Sequence, residues 1–491
     1  MNDLINAIDQ VIEENDLPHE WSKGIATEIK ELKHKKESNN RIDLRSQPFV
    51  TIDGKDAKDF DDAIFCREES NGFMLQVAIA DVADIVKEET EIDFEALKRG
   101  TSIYFPRRVI PMLPEEISNN LCSLVPKEDR NVLVCEIIFN IEGVINSYKF
   151  NEAVINSHKR FTYNEVEFLA KEKHTDISSN ILNSIISLQK LTKKLLKERH
   201  KRKALEIDSA EPVLKFDNKD VINEISLPKR LFAHQMIEEA MISANICAAK
   251  FIKKHLGFGV YRVHEEPENL KIENLKKFFS LKGLSSKSFS DSLELINGFI
   301  GHVNKNEENK MLNILILQSL KRAQYSTNEI GHFGLQLKEY SHFTSPIRRY
   351  PDLISHRLIK NILNKKITTQ SKENLEEKLS ELSSLEKRAE NSSRQVTQQL
   401  ICHHLKKFIG HDFLSLVVGI TEFGLFCEIE KHYISGLVHV SDLSRDRYIF
   451  DKEANILKGK RTGRTFRIGQ KIRVQLANVI PEERKIVLIP K

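Results

Sequence analysis

The sequence has no run of about 18 apolar residues, the length a membrane-spanning helix needs, so no span is expected. Its N-terminus, MNDLINAIDQVIEEND, is acidic and amphipathic and lacks the basic start and apolar core of a signal peptide. The cytoplasm is therefore the expected compartment. Cysteine is scarce: Cys66, Cys122, Cys135, Cys247, Cys402 and Cys427 are widely spaced, form no CxxC pair and lie mostly in apolar segments. That distribution argues for buried free thiols over disulfide, redox or thiolate-metal chemistry. Neither sign of charge dominates, since 75 basic and 71 acidic residues leave a net charge of +4. Any attraction for polyanions must come from local clusters. A GxSxG elbow, an HExxH helix and a Walker loop are all missing, and Gly257-Phe258-Gly259 lacks the third glycine of a dinucleotide fingerprint. Nucleophilic serine or cysteine chemistry has no foothold.

What is present is an ordinary globular composition, 40% apolar and 30% charged over 491 residues, enough for two or three domains. One stretch stands out. Residues 51–63, TIDGKDAKDFDDA, place Asp53, Asp56, Asp59, Asp61 and Asp62 within ten positions. Like charges this close repel by on the order of several kcal/mol per pair when partly buried, so a counter-charge is required unless the loop is simply solvated. Apolar stretches on either side, at 48–52 and 74–80, read as buried strands and favour the cation reading. Oxygen ligands suit magnesium, manganese or calcium better than zinc. An EF-hand counted from Asp53 would need ligands or glycine where Lys55, Ala57 and Lys58 stand, so that pattern fails. Magnesium held by a few carboxylates, with positions open to a phosphate, fits better and points to phosphodiester chemistry.

Along the chain, residues 2–32 carry helical spacing and the polar run 34–40 reads as a boundary. Short β-rich segments dominate residues 43–156, helical spacing returns over 164–203, and residues 228–400 are mostly helical with a loop-rich stretch at 331–346. The expected class is therefore α+β, with a mixed sheet early and helices late. The run of Lys190, Lys193, Lys194, Lys197, Arg199, Lys201, Arg202 and Lys203 reads as a solvated helix face. After about residue 407, short alternating strands suggest a small all-β barrel of the OB type. There Phe423, Phe426, His439 and Tyr448 offer rings and Lys458, Lys460, Arg461, Arg464 and Arg467 offer charge, the pairing that single-stranded nucleic acid uses; the alternative is that Phe423 and Phe426 are core. In residues 340–357, YSHFTSPIRRYPDLISHR, Thr344 or Ser345 can cap a helix whose first residue is Pro346, with Pro351 forcing a kink or restart. Arg348, Asp352 and His356 then share a face, which makes Arg348 either half of a structural ion pair or a phosphate ligand.

Together these motifs resemble the ribonuclease II/ribonuclease R (RNB) family, and the ribonuclease R branch most. The similarity runs through RIDLRSQPFVTIDGKDAKDFDDA, VAIADVADIV, RGTSIYFPRRVIPMLPEEISNNLCSL, MIEEAMISANICAAKF, YRVHEEP, GHFGLQLKEYSHFTSPIRRYPDLISHR and EKRAENSSRQV, with a C-terminal S1-type barrel. It implies a helical connector at 1–40, a catalytic domain at 41–407 and an S1-type domain at 408–491. It also implies processive, hydrolytic 3′→5′ degradation of single-stranded RNA to 5′-nucleoside monophosphates with magnesium, or manganese in its place, by a two-metal scheme and without an obligate protein partner, as a monomer. On that resemblance Asp53, Asp59, Asp61 and Asp62 are the metal ligands, Asp56 is a bystander, and Asp61 and Arg348 carry the chemistry. Tyr104 stacks on the terminal base; Tyr163 and the Glu238-Glu239 pair, Glu239 above all, sense the ribose; Arg349, Arg388, Glu390 and Arg394 contact RNA, as do Phe423, Phe426 and His439 on the barrel. The aromatic partner of Tyr104 falls at Leu214 or Phe216, with Phe216 the expected one. Gln395 to Gln399 depart from the family's RDVADW, which leaves the packing there open. Family members carry two cold-shock domains ahead of the catalytic body and a basic tail behind it; only about 40 residues stand before the body here, so weaker RNA binding with a shallower salt dependence is expected. The alternative is a catalytically silent RNA-binding protein on the same scaffold.

Overall fold

The computed structural model describes residues 3–32, 40–169, 177–207, 211–281, 289–304, 312–366, 371–452 and 456–491. The apolar stretches beside the acidic run enter a seven-stranded mixed sheet. In chain order the early strands are β1 (Ile42–Asp43), β2 (Val50–Asp53), β3 (Asp62–Glu69), β4 (Gly72–Ala80), the separate hairpin β5 (Ile103–Phe105) and β6 (Arg108–Ile110), then β7 (Asp129–Phe139), β8 (Ile145–Asn156) and β9 (Lys159–Thr162). The sheet order is β1-β8-β7-β4-β3-β2-β9. Its central ladders are antiparallel, with Ala63 opposite Ala78 and Val77 opposite Cys135, while β1 joins β8 and β9 joins β2 in parallel. Strand β4 is buried along its whole length, which is why it reads as a continuous apolar run without alternation.

Helices α2 (Ser179–Lys201), α3 (Phe232–Leu256) and α4 (Tyr350–Leu363) share the core of that sheet through residues such as Ile185, Leu188, Ala240, Ala244, Leu353 and Ile354. The N-terminal segment is two helices, α1 (Asp3–Glu14) and a second at Lys23–Leu32. The chain turns at Asp16, whose φ is 47°, and Pro18 cannot extend a helical hydrogen-bond ladder. The boundary expected at 34–40 lies, apart from Asn40, outside the described residues. All six cysteines are free and buried. No described helix is long and apolar enough to cross a membrane.

The last helix of the body, α5 (Lys372–Leu405), leads into a closed barrel of strands Asp412–Thr421, Gly424–Ile429, Ile434–His439, Lys485–Pro490 and Lys471–Ile480, in that spatial order. The protein is thus α+β with a small C-terminal all-β barrel. Several attachments hold the barrel to the body, beginning with Ile401, Cys402 and Leu405 of α5, which lie in the barrel's own core. On one side Leu416 and Val418 join the core of three helices, Asn269–Leu281, Ser292–Val303 and Asn313–Ser319. Gly469 packs so closely on Phe278 there, at φ 76°, that a Cβ would stand 2.0 Å from its ring.

Helix α1 makes a further attachment. It buries Leu4, Ala7, Ile8, Val11 and Ile12 against Ala389, Val396 and Leu400 of α5. Asn15 donates to Gln395 at 2.8 Å and Gln399 donates to Gln10 at 2.7 Å, so the glutamines that depart from the family pattern bind α1. From the same helix Gln10 donates to the Glu482 carbonyl at 3.0 Å, and Arg484 reaches Glu14 at 2.7 Å. Helix α1 is therefore a strut between α5 and the barrel. Val11→Asp would put a charge at a fully buried position of this seam, a loss of roughly 3 kcal/mol or more. The expected result is a lower denaturation midpoint and rapid protease cleavage within the first 20 residues; unchanged protease resistance would refute the strut.

Candidate active site

The acidic run does not stay together. Asp53 ends β2, Asp62 begins β3, and the loop between them is fixed from outside. Ser123 accepts from the Phe60 N–H at 3.0 Å and donates to the Lys58 carbonyl at 2.7 Å, while the Leu124 N–H reaches the Phe60 carbonyl at 3.0 Å. Arg160, on β9 beside Thr51, donates to the carbonyls of Gly54 and Lys55, both at 2.7 Å, and stacks its guanidinium 5.0 Å from the Phe60 ring centre. The outcome is selective: Asp53, Asp59, Asp61 and Asp62 line one cleft, and Asp56 is exposed outside it.

The cleft has a volume of about 270 Å³, and its other lining residues include Tyr163, Glu238, Asn245, Ser345, Arg348 and Arg349. Asp61, 5% exposed, accepts from the Ile347 N–H at 2.9 Å across 286 residues of sequence. That bond sets Arg348 beside it, with Nε 3.7 Å from Asp61 Oδ2. Further contacts fix Arg348: its Nη2 donates to Ser345 at 2.9 Å, and its carbonyl accepts from the Ser102 N–H and the Thr101 hydroxyl, both at 3.0 Å.

The expected helix start is corrected here. Helix α4 begins at Tyr350, with Pro351 in its first turn, and Pro346 lies in the preceding loop. Arg349 is extended, at φ −137° and ψ 120°, because it bridges to Thr101 and the Tyr350 N–H bonds the Gly100 carbonyl at 2.9 Å. Pro351 needs no N–H acceptor in a first turn, so it causes no kink. Arg348 is thereby off the helix, and the structural ion pair belongs to its neighbour: Arg349 meets buried Asp352 at 2.8 Å, and Asp352 also accepts from the Ser345 N–H at 2.8 Å.

Burial pushes Asp61 well above the ordinary carboxylate range and takes Asp53 up to about 6 and Asp62 up to about 8. Neighbouring carboxylates add to each shift, and Arg348 opposes all three, with Arg160 opposing that of Asp53. The cleft is thus short of positive charge. Asp53 Oδ2 is buried without a hydrogen-bond partner. Among the described residues no three His, Cys, Asp or Glu side chains stand as a ready metal-holding group. Even so, four hard oxygen donors on one cleft, one with an orphaned buried oxygen, are the chemistry a hard divalent cation requires.

The RNB domain family matches residues 41–365, and the S1 RNA binding domain matches residues 406–489. This chain belongs to the RNB family. Ribonuclease R of Vibrio parahaemolyticus is 36% identical over 97% of this chain and 59% of its own length, and that of Escherichia coli is 37% identical over 98% and 61%. The chain thus spans about three-fifths of these curated relatives. The structure of Mycoplasma genitalium RNase R in complex with ribose methylated single-stranded RNA superposes with a TM-score of 0.93 at 30% identity, covering 100% of this chain and 78% of that one.

Other expected contact residues sit at varied distances from the RNB cleft. Tyr104 projects from the β5–β6 hairpin and donates to Asp59 at 3.3 Å, while Ser393 of α5 holds the Tyr104 carbonyl at 2.7 Å. Tyr163 lines the cleft, stacked on His234 with ring centres 4.1 Å apart. Of the paired glutamates it is Glu238 that lines the cleft; Glu239, 2% exposed, points to Arg199. Neither Leu214 nor Phe216 lines it: both pack on the α1–α5 seam, with the Arg107 guanidinium 5.3 Å from the Phe216 ring centre. Glu390 pairs with Arg322, Arg394 lies 3.9 Å from Glu211, and Arg388 is half-buried on α5. Sequence reasoning missed Ser123 and Arg160, and it paired Asp352 with Arg348 where the structure pairs it with Arg349; Ser123, in NNLCSL, lay inside a motif whose length alone marked it.

On the S1 barrel Phe423 and Phe426 are 61% and 40% exposed, so they are not core, and exposed His439 stands beside them, opposite Gly424 in the strand register. Two residues beyond Phe426, Glu428 is buried, and burial alone pushes its carboxyl up to about 7. A folded carboxyl above its ordinary 4.5 keeps a proton that the unfolded chain has released, so this contribution is full below 4.5 and is lost as pH rises through 7. Wild type should lose roughly 3 kcal/mol across that window through this group. Glu428→Gln should flatten that part of the profile in denaturant titrations at both pH values; parallel profiles would refute the assignment.

Proposed function

We propose that the chain is a hydrolytic 3′→5′ exoribonuclease that degrades single-stranded RNA processively to 5′-nucleoside monophosphates, with magnesium as its ion and manganese as a substitute. The observation that carries this reading is the meeting of Asp53, Asp59, Asp61 and Asp62 with Arg348 in one cleft. The Mycoplasma relative bound to single-stranded RNA supports it.

The four aspartates would hold the divalent ions. When bound, such ions supply an activated water and stabilise the departing 3′ oxygen. The protein's own groups do the rest. Arg348, fixed at both its guanidinium and its carbonyl, offers donors to the scissile phosphate and offsets its charge. Arg349 is committed to Asp352, so its part is to hold the loop that carries Arg348. Tyr104 presents a ring at the cleft edge on which any base can stack, as a sequence-tolerant enzyme requires. Tyr163 and Glu238 face the sugar. The S1 barrel, with Phe423, Phe426 and His439, guides the upstream strand. This reading needs no membrane and no second protein, and it places a monomer in the cytoplasm.

The test is a gel of 5′-labelled single-stranded RNA with magnesium. Wild type should give a ladder receding from the 3′ end. Asp61→Asn should slow shortening by about a thousandfold or more while leaving RNA binding within a few fold. Binding without shortening by the wild type would sink the enzyme reading and leave a silent RNA-binding scaffold.

A further inference from the structure

The side chain of Arg348 is 41% exposed, so its place at the cleft depends on the backbone that carries it. Three consecutive residues grip that backbone. The Gly100 carbonyl accepts from the Tyr350 N–H at 2.9 Å, and the Thr101 hydroxyl and the Ser102 N–H both donate to the Arg348 carbonyl at 3.0 Å. This strap has no slack. Gly100, at φ 70°, lies so close to α5 that a Cβ would stand 2.8 Å from Leu385, and the Ser102 hydroxyl accepts from the Met112 N–H at 2.9 Å.

The strap leaves the helix Glu91–Arg99 at its last residue, and that residue is a buried cation. The Arg99 side chain is 2% exposed, and burial pulls its pKa below the ordinary arginine range against the opposing effect of Glu95, 3.3 Å away. A guanidinium so placed is destabilising unless its donors are used. Nη2 donates to the Glu20 carbonyl at 2.7 Å and Nη1 to the Pro111 carbonyl at 3.1 Å, while Trp21 covers the guanidinium with its ring centre 3.6 Å away. Glu20 and Trp21 lie between α1 and the helix Lys23–Leu32, and that second helix holds the other end of Glu91–Arg99, where Glu28 accepts from the Ile92 N–H at 3.1 Å. The N-terminal segment thus clasps Glu91–Arg99 at both ends. Clasping alone would concern only the stability of the fold. The contacts lead further, because Asp93 of the clasped helix accepts from the Tyr350 hydroxyl at 2.7 Å, so helix and strap both bear on residues 348–350.

We propose that Trp21 and Arg99 are positioning residues for the phosphate chemistry: the indole and the Glu20 carbonyl lock the guanidinium, Arg99 fixes the 100–102 strap, and the strap sets Arg348 against the scissile phosphate. This rests on the cleft being the hydrolytic site. Neither Trp21 nor Arg99 lines that cleft, and both act through Arg348. A displacement of about 1 Å in a reacting group costs on the order of a hundredfold in rate. Slack at the far end of the strap is therefore felt in the chemical step, while the other contacts of the strand keep its affinity nearly unchanged.

Single-turnover shortening of 5′-labelled single-stranded RNA with magnesium, with the full chain in excess, separates the maximal rate from the half-saturating concentration. Trp21→Leu keeps an apolar side chain but offers no ring face to Arg99. It should lower the maximal rate about thirtyfold and leave the half-saturating concentration within about twofold. Trp21→Phe, which restores a ring, should bring the rate back to within about threefold of wild type. A role in stability alone would lower the denaturation midpoint of Trp21→Leu and leave the maximal rate of the folded protein unchanged; that result overturns the proposal, as does an equal loss of rate and affinity or a Phe variant no faster than the Leu variant. If Trp21→Leu does not fold, Thr101→Val removes the hydroxyl that holds the Arg348 carbonyl and should slow the maximal rate about fivefold, the effect of one hydrogen bond; an unchanged rate there overturns the proposal. Wild type that binds RNA and shortens none overturns the enzyme reading as well.

Discussion

Everything in this molecule turns on the mutual repulsion of carboxylates brought together in a partly buried cleft. Burial, and after it the neighbouring carboxylates, raise the proton affinity of Asp53, Asp61 and Asp62; Arg348 opposes all three, and Arg160 opposes Asp53 more strongly still. Such a cluster destabilises the fold unless its backbone is held by something else. The holding contacts are Ser123 and Arg160 on the loop carbonyls, and Asp61 on the Ile347 N–H. Strain of this kind is kept where a ligand will relieve it. It also ties the early sheet to the late helices, since the counter-charge comes from the far end of the catalytic body.

The acidic cluster, its counter-arginine and the order of sheet, helices and barrel were legible because each is carried by local pattern: carboxylate spacing, strand alternation, long motifs. The start of α4 was not. Thr344 and Ser345 are good caps beside Pro346, but Arg349 is drawn into an extended bridge with Thr101, and that tertiary contact overrides the local preference. The same contact separates Arg348 from Asp352, a pair that helical spacing had joined. The choice between Glu238 and Glu239 was equally hidden, because adjacency fixes only their angle and the direction is set by the tertiary packing of the helix, which buries Glu239 beside Arg199. Phe216 reads as a clamp by position, yet the α1–α5 seam offers it apolar surface away from the cleft.

The cleft cannot attract RNA by itself. With four aspartates and Glu238 against Arg348 and Arg349, its field before any ion binds is unfavourable to a polyanion, and the long-range attraction must originate elsewhere. On the proposed function the barrel supplies it, since Lys458, Lys460, Arg461, Arg464 and Arg467 are all exposed on its three-stranded extension. Charge on the barrel is of use to the cleft only if the distance between them is fixed, because a tether that wanders dilutes the effective concentration of the strand at the site. Helix α1, the Phe278–Gly469 contact and the α5 residues Ile401, Cys402 and Leu405 in the barrel core fix it. On the proposed function, attraction, sugar reading and phosphate chemistry fall to three charge environments, basic, ion-paired and acidic, whose separation depends on those attachments.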